Sequence, residues 1–508
     1  MQSIIDSING VIWSPFLVYL CLGAGLFYSI RTRFVQVRMF GHMWRLLFSG
    51  QSSEKGISSF QALSVSLSGR VGTGNIAGVA AAIGFGGPGA IFWMWVVAFL
   101  GAATAYSEST LAQIYKEEQN GQYRGGPAYY FEKAMGQKWF AWIFAIATLI
   151  ACGFLLPGVQ SNSIGNAAEI AFGSGQLINT SMGQISLTKI LAAIFIVLAL
   201  SFIIFGGVKR IAHFTQIVVP FMALAYIVIA CSVIALNIEQ VPEVLTLIIG
   251  DAFTPMAGMG AAIGWGVKRG VFSNEAGLGT GPHAAAAAEV DHPAQQGLVQ
   301  AFSVYIDTLF VCTATAFMII ITGSFNVHGT GDVFLVQNIA ADIAANSPAY
   351  TQIAVEKVIP GVGQPFVALA LFFFAFTTLL AYYYIAETNL AYIKRTINIP
   401  ALDFLLKIAL LSATFYGTIK TANLAWGLGD IGIGIMAWLN IVGILLIFFM
   451  SKPALKALKD YETQRKAGVL KYNFDPQKLG IKNADFWIKN REHHETRDTP
   501  SEKQKEIS

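Results

Sequence analysis

The chain has 508 residues, of which 55% are apolar and 12% are charged, and its formal net charge is +4. A mean hydropathy of +0.57 excludes an ordinary soluble globular protein and indicates an all-α integral membrane protein. Because roughly 30 Å of hydrocarbon needs about 20 apolar residues of helix, windows of that length are predicted to span a membrane.

Eleven such windows follow one another along the chain. In order, we expect spanning helices within residues 9–30, 57–83, 89–113, 139–160, 187–206, 212–236, 256–281, 295–323, 362–386, 401–419 and 427–450. They divide the chain into four parts: an N-terminal helix with a linker (1–56), two five-helix blocks (57–240 and 241–450) and a charged tail (451–508). We expect the tail to be solvated.

The basic residues of the connecting segments are distributed unevenly. Fifteen of them follow spans 1, 3, 5, 7 and 9, whereas the other side has only Lys189, Lys357 and Lys420. Since Lys and Arg are enriched in cytoplasmic loops, this bias predicts a cell-membrane protein with its N-terminus outside and its tail in the cytoplasm. The fifteen are Arg31, Arg33, Arg38, Arg45, Lys55, Lys116, Arg124, Lys133, Lys138, Lys209, Arg210, Lys268, Arg269, Lys394 and Arg395.

The second span is interrupted by the run SLSGRVGTGNIAGV (66–79), which contains four Gly and an Arg. In hydrocarbon every backbone amide and carbonyl needs a partner, so a broken helix survives only where it lines a cavity or holds a ligand. The break also presents a half-helix N-terminus, which favours negative charge. The Gly-rich stretch 258–281 opens the second block in the same way.

Each block contains five spans, an odd number, so the second block is predicted to be inverted relative to the first. Two inverted five-helix repeats with discontinuous first helices are typical of secondary transporters with the LeuT-type architecture. The alternative is that these glycines form close-packing faces. That alternative does not explain the polar side chains near the breaks, which are Arg70, Asn75, Lys268, Arg269, Asn274 and Glu275.

Residue chemistry predicts how such a site would hold an amino acid. The amides of Gly72, Thr73 and Gly74 could bind its carboxylate, because glycine allows close approach. Carbonyls freed around residues 260–266, near Gly264, could accept from its ammonium group. Gln160, in the run PGVQSN (157–162), could bond to either group. The alternative for Gln160 is a helix end satisfied by water.

Charged side chains within spans are candidates for coupling or gating. Asp307 could ligate a cation, carry a coupling proton or neutralise Arg70. Glu275 and Arg269 are expected near the cytoplasmic end, as a gate or a structural ion-pair cluster. The remaining acidic residues near span ends are expected to cap helices or face the membrane interface; they are Glu108, Glu387 and Asp430.

Several motifs together resemble the alanine/glycine:cation (sodium:alanine) symporter family across nearly all of residues 10–450. They are SGRVGTGNIAG (68–78), GGPGAIFWMW (86–95), GGPAYY (125–130), GVKR (207–210), GVKRGVFSNEAG (266–277) and the stretch 374–387. The resemblance implies a LeuT-type core that takes up small neutral amino acids with Na⁺, or with H⁺ as the alternative ion.

The resemblance also implies site residues. Gln160 is expected to face the substrate with Ser163 and Ile164 nearby. A Na⁺ site is expected at the hydroxyls of Thr377 and Thr378 and the carbonyls of Ser68 and Val71, although such hydroxyls often bond only to the preceding turn. Asn75 could support a second ion or brace the break. The full predicted substrate site is Gly72, Thr73, Gly74, Asn75, Gln160, Ser163, Ile164, Gly264, Asn274, Thr378 and Tyr382.

One departure from the family concerns substrate size. Many members have Gly-Trp where this chain has Ala381-Tyr382. A phenol is smaller than an indole and has a polar hydroxyl, so glutamine is a contender beside alanine and glycine.

Other function classes are less consistent with the sequence. No phosphate-binding loop or hydrolase motif occurs, so we expect neither an enzyme nor a nucleotide-driven pump, and no nucleic-acid partner. The partners expected are a small neutral amino acid and membrane lipid, with a monomer sufficient for transport. An ion channel is the nearest rival, because broken helices also build pores.

Overall fold

A computed structural model describes residues 2–48, 55–180, 183–254, 256, 258–329, 331, 333–397, 399–469 and 471–489. Residues 490–508 of the predicted tail and 49–54 of the predicted linker lie outside this range. Within the described residues, eight helices are long and apolar enough to cross a membrane, or nine if one bent helix pair counts as a single span.

The helices of the first half are α1 (Gln2–Ile12), α2 (Pro15–Arg31), α3 (Val35–Arg38), α4 (Phe40–Leu47), α5 (Ser59–Arg70), α6 (Ala77–Gly86), α7 (Ala90–Ile114), α8 (Pro127–Met135), α9 (Lys138–Ile150), α10 (Leu156–Phe172), α11 (Leu187–Ile204) and α12 (Gly207–Leu236). A 3₁₀ turn (Thr73–Asn75) separates α5 from α6, and a π-helical turn (Ala151–Leu155) joins α9 to α10.

The helices of the second half are α13 (Val241–Phe253), α14 (Met259–Asn274), α15 (Gly281–Ala287), α16 (Pro293–Val304), α17 (Thr313–Ile321), α18 (Ala349–Val358), α19 (Gly363–Lys394), α20 (Leu402–Ile419), α21 (Ala422–Ser451) and α22 (Pro453–Lys466). A 3₁₀ turn (Ile238–Gln240) precedes α13, and a π-helical segment (Tyr305–Cys312) joins α16 to α17.

Three antiparallel hairpins connect helices outside the spans. They are β1 (Glu117–Gln119) with β2 (Gln122–Arg124), β3 (Leu177–Thr180) with β4 (Gly183–Ser186), and β5 (Asn326–His328) with β6 (Phe334–Gln337).

The N-terminal span consists of two helices instead of the one predicted, and α1 and α2 meet at an angle of 42°. Pro15 begins α2, and its ring and missing amide prevent a continuous helix from α1. The first helix lies along α21: Asn9 donates to the Gly427 carbonyl (2.9 Å) and the Trp13 indole donates to the Asp430 carbonyl (2.9 Å).

Two further predicted spans, one at the start of each five-helix block, are discontinuous. The first breaks between α5 and α6, where the Gly-rich run 66–79 predicts it. The second breaks between α14 and α15, over residues 275–280. Each broken helix packs on a long helix of the other block, α5 on α19 and α14 on α7.

The second break lies later than the sequence predicted. Helix α14 runs without interruption from Met259 to Asn274, so the carbonyls of 260–266 stay inside the helical ladder and are not freed. Gly264 lines an outer cavity of about 280 Å³ with Asn9, Trp13 and Lys268, away from both breaks. The expectation that the carbonyls of 260–266 are freed for the substrate is therefore wrong, and Gly264 lies apart from both breaks.

The same result changes the interpretation of Lys268 and Arg269. Both lie within α14 and not in a loop, so they do not belong to the set of basic loop residues. Arg269 is buried and pairs with Asp430, not with Glu275. The predicted Arg269–Glu275 cluster near the cytoplasmic end is not formed.

The tail was predicted to be solvated, but its described part is packed against the rest of the protein. Residues 453–469 and 471–489 fold back against the membrane helices, and Leu458, Tyr461, Phe474 and Trp487 are buried there. This segment contacts the ends of α2 and α7 and the start of α16. The end of α19 lies on the same side, where Arg395 pairs with Glu117 of the β1–β2 hairpin. We call this side of the molecule the C-terminal face and the other side the opposite face.

Close helix crossings at glycine organise the rest of the core. At the crossing of α10 and α20, a Cβ placed on Gly417 would collide with the Gly158 backbone and lie 2.7 Å from Ser161 Oγ. Small residues allow membrane helices to approach this closely.

We therefore expect Gly417→Val to force α10 and α20 apart and to lower the free energy of unfolding by about 1–3 kcal/mol. Thermal unfolding of purified protein in detergent measures this effect. The matched control is Gly23→Val, since a Cβ at that helical glycine meets nothing within 4 Å. Equal melting temperatures for the two variants would contradict the prediction.

Candidate functional site

At the first break, side-chain oxygens accept the hydrogen bonds that backbone carbonyls would accept in a continuous helix. The Gly72 amide donates to Asn75 Oδ1 (2.8 Å), and the Thr73 amide donates to Gln160 Oε1 (3.0 Å) from α10. Gly72 itself is in an extended conformation. Gln160, which was predicted to bond to the substrate, thus contacts an amide of this break.

Two carbonyls at this break are released from the helical ladder. The amide that a continuous helix would direct to the Ser68 carbonyl is that of Gly72, which bonds to Asn75 instead. The amide due to the Val71 carbonyl is that of Asn75, which donates to the Gly72 carbonyl (3.2 Å). Both oxygens that the resemblance implied as cation ligands are thus available.

The two threonines of α19 point in different directions, as consecutive helical residues do. Thr378 faces the first break, since its hydroxyl is the atom that a Cβ on Gly72 would meet first. Thr377 faces α12, where its hydroxyl lies 3.8 Å from Met222 Sδ. Each hydroxyl donates to a carbonyl of the preceding turn, and this leaves its oxygen able to accept or to coordinate.

The two breaks approach one another closely. A Cβ on Gly74 would lie 3.0 Å from Ser273 Cα, and a Cβ on Gly69 would lie 3.1 Å from Glu275 Oε2. A cavity of about 10 Å³ lies between the breaks and is lined by Gly69, Glu275, Thr280 and Ala381, among others. A space of this size holds about one water, so the chamber has to widen before an amino acid enters.

Asp307 is fully buried in the π-helical segment and joins the two broken helices. Its carboxylate accepts hydrogen bonds from Asn75 Nδ2 (2.6 Å) of the first break, from Ser273 Oγ (3.0 Å) of α14 and from Thr308 Oγ1 (2.7 Å). All three donors are neutral, so the negative charge has no direct ionic partner in this set.

Arg70 does not pair with Asp307. Its guanidinium donates to the Ser303 hydroxyl and the Gln300 carbonyl (3.1 Å) of α16. None of the ion pairs in the described part of the chain includes Arg70, and two of its nitrogens have no hydrogen-bond partner there. The expectation that Asp307 neutralises Arg70 by pairing is not met.

The second break begins at Glu275, which adopts a left-handed conformation (φ +56°). Its carboxylate accepts from the Thr280 hydroxyl (2.8 Å) across the break and lines the shared cavity. Asn274 Oδ1 accepts from the Ala276 amide (3.0 Å), so this amide does not continue the ladder of α14. Asn274 thus organises the break through its side chain.

Glu108 of α7 supports the second break from behind. Its carboxylate accepts from the amides of Gly277 (3.1 Å) and Gly279 (3.2 Å) and from Asn440 Nδ2 (2.7 Å). The Tyr130 hydroxyl donates to Asn440 Oδ1. The sequence interpretation of Glu108 as an interface or capping residue missed this brace, although a carboxylate inside an apolar helix is a signal for it.

Side chains of α10 and α19 are buried next to the first break, where Gln160 and Thr378 lie against Gly72. Gln160, Ser163, Ile164 and Tyr382 are all buried. The hydroxyls of Thr73 and Ser163 are buried without a hydrogen-bond partner among the described residues. Unpartnered buried hydroxyls are rare, and they fit a polar solute better than a dry core.

Buried ion pairs lie toward both faces of the molecule. Toward the opposite face, Asp430 of α21 pairs with Lys268 (2.6 Å) and Arg269 (2.6 Å) of α14, and the Arg269 guanidinium lies 4.6 Å from the Trp426 ring. Near the C-terminal face, Arg124 binds Glu387 of α19 through two bonds of 2.6 and 2.7 Å. Asp430 and Glu387 thus belong to ion pairs and are not lone caps.

Comparisons with known proteins agree with this geometry. The profile of the sodium:alanine symporter family matches residues 1–475. The putative sodium/proton-dependent alanine carrier protein YrbD of Bacillus subtilis is 57% identical over 501 residues, covering 98% of this chain and 100% of that protein. A sodium/proton-dependent alanine carrier protein of Bacillus sp. PS3 is 51% identical, covering 88% and 97%.

The probable sodium/glutamine symporter GlnT of Bacillus subtilis is more distant, at 41% identity, covering 92% of this chain and 93% of that protein. Among solved structures, MhsT in complex with L-phenylalanine matches with a TM-score of 0.53 at 14% identity, covering 78% of this chain and 100% of MhsT. MhsT has the LeuT fold, so this match supports that fold for the helical core.

These matches extend over nearly the whole chain and agree with the two breaks and the chamber between them. The chain belongs to the sodium:alanine symporter family, whose members are transporters and not enzymes.

Proposed function

We propose that this protein imports a small neutral amino acid, with alanine as the first candidate, together with Na⁺ by alternating access. The observation that carries the proposal is that the two helix breaks lie against each other beside a small cavity, and that backbone carbonyls at each break are released from the helical ladder. The names of the alanine-carrier relatives support the substrate class. H⁺ is the alternative coupling ion.

The carboxylate of the substrate is proposed to bind the amides of 72–74. The Thr73 amide is held by the Gln160 amide oxygen (3.0 Å), a neutral acceptor that a carboxylate can replace. Gln160 could then turn its NH₂ group toward the same carboxylate. The N-terminal end of α6 adds a favourable partial positive charge.

The ammonium group is proposed to bind at the end of α14, not at 260–266. The amides of Ala276 and Gly277, which a longer helix would direct to Phe272 and Ser273, bond to Asn274 Oδ1 and Glu108 instead. The last carbonyls of α14 are therefore released at the negative end of a helix dipole.

A first Na⁺ site is proposed at the Ser68 and Val71 carbonyls and the Thr378 hydroxyl. Neutral oxygens suit Na⁺, and the released carbonyls supply them next to α19. Thr377 remains a proposed ligand, although its hydroxyl faces Met222.

A second coupling position is proposed at Asp307, with Asn75 and Ser273. The carboxylate bonds to both broken helices, so a Na⁺ or an H⁺ bound there would influence both. By linkage, substrate and coupling ion raise each other's affinity by the same factor.

The membrane arrangement completes the proposal. Counting each broken helix and the bent N-terminal pair as one span gives eleven, in two inverted five-helix repeats. Without Lys268 and Arg269 the loop bias is thirteen to three, which still supports a cytoplasmic C-terminal face. One chain contains both breaks, so a monomer in lipid is proposed to suffice.

Tyr382 supports glutamine as a second substrate candidate. Its phenol is buried close to Gln160, where a larger ring would fill more space. A channel is disfavoured, because the family to which the chain belongs consists of symporters.

The central experiment is uptake by purified protein in liposomes. We expect an imposed inward Na⁺ gradient to drive accumulation of labelled alanine, with competition by glycine and glutamine ranking the substrates. Internal unlabelled alanine should accelerate entry by exchange, because a carrier returns faster when it is loaded. Flux that does not respond to internal alanine would favour the channel.

A side chain at the first break should abolish substrate binding. Gly74→Leu would push against Ser273 and Phe272, so we expect alanine binding to fall below detection by scintillation proximity. Gly264→Leu is the matched control, since a Cβ there meets nothing within 4 Å, and we expect it to bind normally. Normal binding by Gly74→Leu would count against the site.

Loss of the Thr378 hydroxyl should weaken Na⁺ activation. Thr378→Val keeps the shape, and we expect the Na⁺ concentration for half-maximal uptake to rise about tenfold, as for a loss of about 1.4 kcal/mol. Thr414→Val is the control, because this buried threonine of α20 also bonds only to its preceding turn, through the Leu410 carbonyl (2.8 Å). Equal Na⁺ responses of the two variants would remove Thr378 from the ion site.

A further inference from the structure

The C-terminal segment, defined here as residues 453–489, attaches to the end of α7 through aromatic side chains. The Trp487 indole donates to the Gln113 carbonyl (2.8 Å). The ammonium of Lys116 lies over the rings of Phe486 (4.6 Å) and Trp487 (5.4 Å) and is fully buried. A buried ammonium against aromatic faces marks a packed and specific contact.

The same two α7-end residues hold the last turn of α15. The Gln113 amide donates to the carbonyls of Ala285 and Ala288, the latter at 2.9 Å, and Lys116 Nζ donates to the Ala288 carbonyl (2.9 Å). Helix α15 is the half-helix that follows the second break. Trp487 therefore acts on that half-helix through Gln113 and Lys116.

The end of α15 is also tied to the start of the first broken helix. The Ile57 amide donates to the Ala287 carbonyl (3.0 Å), and the Glu289 amide donates to the Ile57 carbonyl (2.9 Å). Ser58 caps α5 immediately afterwards. The two half-helices below the chamber thus share one anchor at the C-terminal face.

The C-terminal segment also holds α8, which leads into the helix that carries Gln160. Asn483 donates to the Lys133 carbonyl (2.8 Å), and Asp485 lies 3.7 Å from Lys133 Nζ. Asp460 pairs with His292 at the start of α16 (3.2 Å). The segment therefore bridges the broken-helix side of the chamber and the α8–α10 side.

We propose that the C-terminal segment is a latch that keeps the two half-helices below the chamber closed, and that its release from α7 precedes opening of the chamber toward the C-terminal face. Opening toward that face requires α15 to move away from α19, with which it lines the cavity. Such a movement disturbs the carbonyl contacts of Gln113 and Lys116, and these residues are held in place by Trp487.

The first test reads opening directly and needs no transport. In a background with the four native cysteines replaced, Ala284→Cys places a thiol in the wall of the cavity. We expect Trp487→Ala to raise the rate at which this thiol is modified at least fivefold, when an impermeant thiol reagent is added at the C-terminal face. The control is Trp139→Ala, an exposed tryptophan near the same face that is expected to leave the rate unchanged.

The second test locks the latch and stays informative if Trp487→Ala fails to fold. A short thiol cross-linker joining Lys133→Cys to Asp485→Cys should reduce alanine uptake at least tenfold, and cleavage of the linker should restore it. The control pair, Gln464→Cys with Asn473→Cys, ties the segment only to itself and should transport normally; these residues already share bonds of 2.6 and 2.9 Å.

An unchanged thiol rate in folded Trp487→Ala, or full uptake by the locked protein, would overturn the latch. Only the second test, which measures alanine uptake, depends on the proposed function of alternating access. If no amino acid were transported, the thiol rates would still decide whether the segment holds the chamber closed.

Discussion

The structure depends on one constraint, which is that backbone amides and carbonyls inside the membrane need partners. At each break the chain satisfies the amides with side chains and leaves carbonyls for a solute. Asn75 and Gln160 serve the first break, while Glu108 and Asn274 serve the second. Since an unsatisfied group in hydrocarbon costs several kcal/mol, the breaks exist only because these side chains are in place.

Buried charge is arranged around the same breaks. Asp307 is bonded to both broken helices, Glu275 lies at the start of the second break, and Arg70 is anchored to α16 without an ion pair among the described residues. Acidic groups that bond only to neutral donors favour a bound cation, which is consistent with a protein that couples solute to ion movement. Asp307 therefore links the two broken helices through its carboxylate.

The ion pairs toward the two faces are built differently. On the opposite face one carboxylate, Asp430, holds two cations of α14. On the C-terminal face there is a bidentate pair between Arg124 and Glu387, and the packed C-terminal segment attaches separately to the end of α7. This asymmetry suits a carrier in which the two faces open at different times.

The sequence by itself determined the membrane class, the helical periodicity and the position of the first break, because hydropathy and glycine content report directly on burial and backbone freedom. The family resemblance, and not the residue pattern, selected Gln160 and Thr378, and the structure places both next to that break. The site of the second break, the role of Glu108 and the packing of the tail were decided only by the tertiary structure. Gly260 and Gly264 stay helical because the ladder of α14 continues to Asn274, whose side chain then accepts from the Ala276 amide. Glu108 and Trp487 each bond to a segment more than a hundred residues away along the chain. Such long-range contacts leave no periodic signal in the chain, since they depend on which helices the fold brings together.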